Sequence, residues 1–75
     1  MTWEVAEIIR GLRASEPQHS FRRISEIICE SYPAYVSAIG WHPVDNAGHP
    51  NLGKELCEEA ACVLNSHGWI SLHHR

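Results

Sequence analysis

Residues 20–31, Ser20-Phe21-Arg22-Arg23-Ile24-Ser25-Glu26-Ile27-Ile28-Cys29-Glu30-Ser31, decide the fold class. Phe21, Ile24, Ile27 and Ile28 recur three and four apart, with Ser31 keeping the same period, which is the spacing that lines one face of an α-helix. Arg22, Glu26 and Glu30 step four apart along the opposite side, so the segment is apolar on one face and charged on the other. Ser20 stands where its hydroxyl can cap the first turn. Tyr32 precedes Pro33, whose ring disfavours helical backbone at the residue before it, so the helix is expected to stop at about Ser31. His19, just before the cap, reads as a surface residue.

The same logic extends outward in both directions. Toward the N-terminus, Thr2 can cap a helix whose Val5, Ile8, Ile9 and Leu12 share one face and which Pro17 closes. Gly11 inside it costs about 1 kcal/mol relative to alanine, which points to close packing against a neighbour or to an early end. Toward the C-terminus, Asn51 begins a third helix with Leu52, Leu56, Ala60 and Val63 on one stripe and Cys57, Ala61 and Leu64 beside it, its small alanines allowing close approach of a neighbour. Asn65 and Gly68 bracket its end, and Trp69-Ile70-Ser71-Leu72 alternates as a short strand or extended tail would. Between the second and third helices, Tyr35, Val36, Ala38, Ile39 and Trp41 fit a short helix or a strand about equally well, with a slight preference for the helix. Residues 42–50 are dense in turn formers and read as an irregular connection. The expectation is one mainly α domain over residues 1–75, of three to four helices, with a short C-terminal strand or extended segment.

Size and charge narrow the function. A chain of 75 residues supports one core, and no internal repeat or second domain is visible. Six Lys and Arg against nine Asp and Glu give a net charge of -3, whereas a protein that wraps nucleic acid carries a basic excess. The six histidines leave that sign unchanged at neutral pH and begin to erase it only as pH falls through about 6.5. No stretch approaches the roughly 18 consecutive apolar residues of a membrane span, and none reads as a signal peptide. Cys29, Cys57 and Cys62 are odd in number, which suits free thiols in a reducing compartment, so a cytoplasmic protein is expected.

The residue types that carry chemistry do not assemble into a catalytic pattern. Cys57 and Cys62 are five apart on a helix, so their side chains point about 140° from one another and do not form a zinc pair. A metal site from His42, His49 and Cys57 matches no recurring ligand spacing, and a Cys–His nucleophile needs a lowered thiol pKa that the sequence does not indicate. The cysteines lie on or beside apolar stripes, where they act as small hydrophobes. No phosphate-cradling glycine loop and no paired-carboxylate motif is present, and a domain this small leaves no room for a ligand-sized pocket. Neither enzymatic activity nor a bound metal or cofactor is expected.

Partner binding is the remaining class. Glu55, Glu58 and Glu59 form an acidic flank on the third helix, with Asp45 near its start, and Glu26 and Glu30 add to the negative surface. Such a flank is ordinarily simple solvation; as a contact surface it would dock on a basic groove, where complementary charge steers encounter. Trp3, Tyr35, Trp41 and Trp69 are the aromatic anchors such a contact would use, with Trp3, off the apolar stripe of its helix, the one expected at the surface.

Two resemblances sharpen this. The segment Ser20 to Ile27, a later helix and a wing at Gly68-Trp69-Ile70 resemble a helix-turn-helix or winged-helix domain, which implies a DNA-binding regulator with Arg22 and Arg23 on phosphate. Glu26 and Glu30 would then face the DNA, which argues against that use. The small acidic helical chain without enzyme motifs also resembles in type the inhibitors that phages make against bacterial defence, among them anti-CRISPR proteins. That resemblance implies occlusion in the host cytoplasm: Glu55, Glu58, Glu59 and Asp45, with Glu26 and Glu30, would sit on the basic nucleic-acid channel of a CRISPR effector complex and keep DNA out. A homodimeric adaptor using the first helix and its Trp3 edge is a third reading, and monomer and homodimer both stay open.

Overall fold

Two hydroxyl caps start the first two helices. In the computed structural model, which describes residues 1–66, Thr2 is extended and its Oγ1 accepts from the Val5 N–H at 3.3 Å, opening α1 (Trp3–Ala14). Ser20 does the same for α2 (Phe21–Ser31), accepting from the Arg23 N–H at 3.1 Å. Each bond satisfies one of the amides that a helix start leaves without an intrahelical partner. α2 ends where the Tyr32-Pro33 step requires, with the Tyr32 N–H on the Ile28 carbonyl at 2.7 Å. Two short helices follow, α3 (Pro33–Ala38) and α4 (Pro43–Asn46), and, after a turn, the long α5 (Pro50–Ser66). The described residues contain no strand.

The mainly α architecture is therefore as the periodicity implies, with one more helix than expected. Residues 42–50 are not wholly irregular, because α4 occupies Pro43–Asn46. Pro43 brings a helical φ to its first turn, and the His42 carbonyl accepts from both the Asn46 N–H (3.0 Å) and Asn46 Nδ2 (2.9 Å). The ambiguous stretch before it is a helix, α3, also begun by a proline. α5 starts one residue before Asn51: the His49 ring accepts at Nδ1 from the Asn51 N–H (3.1 Å) and the His49 carbonyl from the Gly53 N–H (3.2 Å), so the histidine does the capping. The strand or extended segment expected at Trp69–Leu72, and the wing at Gly68-Trp69-Ile70, lie outside the described residues.

α5 is the central support. α1 and α2 both pack chiefly against it, while α4 rests on α2 and α3. One core joins Val5, Ala6 and Ile9 of α1, Ile24, Ile28 and Cys29 of α2, Val36 of α3, and Leu52, Leu56, Ala60 and Leu64 of α5. The closest approach is at Gly53, where an added Cβ would overlap the backbone carbonyl of Phe21. The start of α2 thus lies directly on the backbone of α5, an approach that the sequence reading assigned to alanines. Ala61 is in fact exposed, and Leu64 rather than Val63 completes the buried stripe. Gly11 has open space around it, so the tight packing expected there is absent.

A buried hydroxyl fastens the α4–α5 connection to α2. Ser25, fully buried, donates to the Asn46 carbonyl (3.0 Å) and accepts from the Gly48 N–H (2.9 Å). Gly48 sits at φ +85°, a left-handed conformation that suits glycine, and lets the chain turn into α5. The α1–α2 loop is fastened similarly. Arg13 Nη1 donates to the His19 carbonyl (2.7 Å) and its guanidinium stacks 4.2 Å from the Phe21 ring centre, while His19 Nδ1 lies 2.9 Å from Ser15 Oγ. His19 is half-buried in this network and is more than the surface residue its position before a cap suggested.

Candidate interaction surface

The acidic flank on α5 exists as a surface. Glu55, Glu58 and Glu59 are all exposed and sit three and four residues apart, which places them on one outward stripe of a long helix anchored beneath by Leu52, Leu56 and Ala60. Glu59 Oε2 is 3.9 Å from the Met1 ammonium. Asp45 stands on α4, exposed, with His42 Nδ1 at 3.5 Å. Because α4 rests on α2 and α3, Asp45 belongs to the side of the molecule that carries Glu26 and Glu30. Glu30 is exposed; Glu26 is half-buried beside Gly48 and holds Arg23 Nη1 at 3.0 Å. That pair compensates one of the two arginines at the start of α2. The carboxylates proposed for contact therefore form two acidic regions, one on α5 and one on α2 with α4.

Trp3 is placed differently from the expectation. Trp3 is half-buried and packs against the core, because Met1 and the first turn of α1 fold onto the same cluster. Trp41 is half-buried too, its ring tilted against that of His49 at 5.5 Å between centroids. Neither tryptophan stands out as an exposed anchor. The exposed large apolar side chains are aliphatic: Ile8 and Ile39, each 38% exposed, and Val44, 81% exposed on α4. A signal for Val44 lay in the sequence, since a side chain between Pro43 and Asp45 in a turn-rich stretch has little helix beside it to pack on.

Open grooves are present where no ligand-sized volume was expected. One of about 330 Å³ runs between α1 and α5 over Phe21, walled by Ile9, Ala60 and Leu64 and edged by Arg10 and Arg13. A second, of about 490 Å³, lies between α2 and α4 and is bordered by Glu26, Glu30, Val44 and Ala47, with Cys29 in its wall. A third, of about 640 Å³, opens beside Tyr32 and Tyr35 at the start of α1. The second arises because the short α4 covers only part of the α2 face on which it rests.

The thiols are unlike one another. Cys29 is buried, Cys57 half-buried against the core and Cys62 exposed on α5, so the reading of the thiols as small hydrophobes on or beside apolar stripes fits the first two and not Cys62. Burial pushes the Cys29 thiol up against the opposing hydrogen bond from Ser25, and burial likewise raises Cys57 despite the Arg13 charge, with Glu58 adding to the rise. Tyr35 is pushed up to about 12, first by burial and then by the Glu59 carboxylate, and its buried hydroxyl has no hydrogen-bond partner among the described residues. No three His, Cys, Asp or Glu side chains among the described residues converge on a metal-sized point, and none of the described helices is long and apolar enough to cross a membrane. Compared with protein families, with curated proteins and with solved structures, the chain matches none.

Proposed function

We propose that the chain is a non-catalytic binding protein that docks its acidic surface on the basic nucleic-acid-binding site of a protein partner and blocks access of nucleic acid, as the resemblance to anti-CRISPR inhibitors of CRISPR effector complexes implies. The observation that carries this reading is the outward stripe of Glu55, Glu58 and Glu59 on the best-supported helix of the fold. Carboxylates fixed in a row on a rigid helix present a defined negative field, which steers a basic surface into register at little entropic cost. The Met1 ammonium stands 3.9 Å from Glu59, while Arg23 pairs with Glu26 and His42 with Asp45 on the other acidic region.

Direct DNA binding through Arg22 and Arg23 is the weaker reading, because Arg23 already pairs with Glu26 at 3.0 Å and α2 carries Glu30 further along. The test is a charge reversal, Glu55→Lys with Glu58→Lys and Glu59→Lys, in an assay in which the protein displaces DNA from a CRISPR effector complex. The native protein is expected to compete less well as salt rises, and the triple variant to lose about tenfold or more in affinity and most of the salt dependence, since exposed pairs contribute up to about 1 kcal/mol each. Unchanged competition by the triple variant would remove the reading. A gel shift of the protein with free DNA, steeply weakened by salt, would favour the regulator instead.

A further inference from the structure

The acidic region on α2 and α4 borders a groove whose lip is the most exposed large aliphatic side chain of the described residues. Val44, 81% exposed, is the most exposed large hydrophobic among the described residues, and it borders the 490 Å³ groove together with Pro43 and Ala47 on the α4 side. The facing wall is α2, with Glu26 and Glu30 one helical turn apart and Cys29 between them at the base. Arg23 also reaches this wall, but its guanidinium is held by Glu26 at 3.0 Å, so that among the described residues the Glu30 carboxylate is the wall's charge without an ion-pair partner. Glu30 stands in the last turn of α2, where the helix's own carbonyl ends add negative potential. Asp45, exposed on α4, lies one residue from Val44.

An apolar lip facing a negative wall selects for a side-chain pair of the opposite kind. We infer that this groove is the anchoring point for the partner, and that it takes a segment of the partner protein carrying an arginine or lysine next to a branched aliphatic side chain, the cation on Glu30 and the aliphatic group against Val44 and Ala47. The inference rests on the acidic-docking reading above and adds to it where affinity concentrates: charge on α5 steers the encounter, and apolar contact at α4 holds it. Charge alone would bind any polycation equally, whereas burial of one leucine-sized side chain against Val44 adds roughly tenfold in affinity. A nucleic acid backbone is disfavoured here by the Glu30 wall.

The experiment is an NMR titration of the intact protein with two peptides of equal charge, acetyl-Arg-Leu-Arg-Leu-Arg-amide and acetyl-Arg-Gly-Arg-Gly-Arg-amide. The leucine peptide is expected to shift the Glu30, Val44 and Ala47 signals and to bind roughly tenfold more tightly than the glycine peptide. Val44→Asp should abolish that difference and Glu30→Lys should weaken both peptides, each at an exposed position and with the native dispersion of the spectrum kept. Equal affinity for the two peptides, or shifts confined to Glu55, Glu58 and Glu59, would overturn the groove as anchor and leave acidic docking standing. Shifts nowhere would count against both. If the groove signals move on raising the protein concentration alone, its occupant is a second copy of the chain and the inference fails.

Discussion

Ser25 shows how much a single polar atom can organise in a small fold. Its fully buried hydroxyl ties α2 to both ends of the turn at Asn46 and Gly48. Ser25→Ala should cost about 1–3 kcal/mol in urea unfolding, because two backbone groups lose their partner at once, against about 1 kcal/mol for the exposed cap lost in Ser20→Ala. Tyr35 is the opposite case, a buried hydroxyl that gains nothing from its burial. Tyr35→Phe is expected to leave stability at neutral pH unchanged or slightly raised. The tyrosine also sets an alkaline limit: its pKa in the fold, about 12, lies above the ordinary 10.0. The folded state therefore holds the proton more tightly, so stability is unaffected by this group below pH 10 and falls as pH rises from 10 toward 12, where unfolding frees the phenol to ionise. Thermal unfolding across that window should show the decline in the native protein and a smaller one in Tyr35→Phe. Local hydrogen bonds such as those of Thr2 and Ser20 were legible in the sequence because cap and acceptor lie within one turn. Ser25 was not, since its partners are more than twenty residues away.

At the scale of elements, two glycines on helices make opposite demands. Gly53 lies against the Phe21 carbonyl, so Gly53→Ala must part α2 from α5 and should destabilise by roughly 1–3 kcal/mol or more. Gly11 faces open space on α1, so Gly11→Ala should stabilise by about 0.5–1 kcal/mol through helix propensity alone. Circular dichroism melts of the two variants check both signs. The periodicity of Val5, Ile9, Ile24, Ile28, Leu52 and Leu56 revealed which faces turn inward, because a buried stripe repeats with the helix. It could not reveal which helix each face meets, and so it misplaced the close contact at Gly11 and at the alanines. Trp3 fell to the same limit: it lies off the stripe of α1, yet the core curves around the first turn and half-covers it. The candidate site was legible in part, since Glu55, Glu58 and Glu59 needed only helical spacing to be set side by side. The groove at Val44 required knowing that α4 is a helix and that it rests on α2.

At the scale of the whole molecule, acidic charge lies in two regions, on α5 and on α2 with α4, and the exposed Val44 adjoins the second. A reader of composition sees only the net charge of -3. The dependence of both α1 and α2 on α5 has a further consequence for how the protein comes into being. On the ribosome the two earlier helices emerge with Ile9, Ile24 and Ile28 uncovered, and they stay so until residues 52–64 have been made. Folding of this unit is therefore held back until α5 has been made. A polypeptide stopped before α5 should remain unstructured and be cleared by proteases.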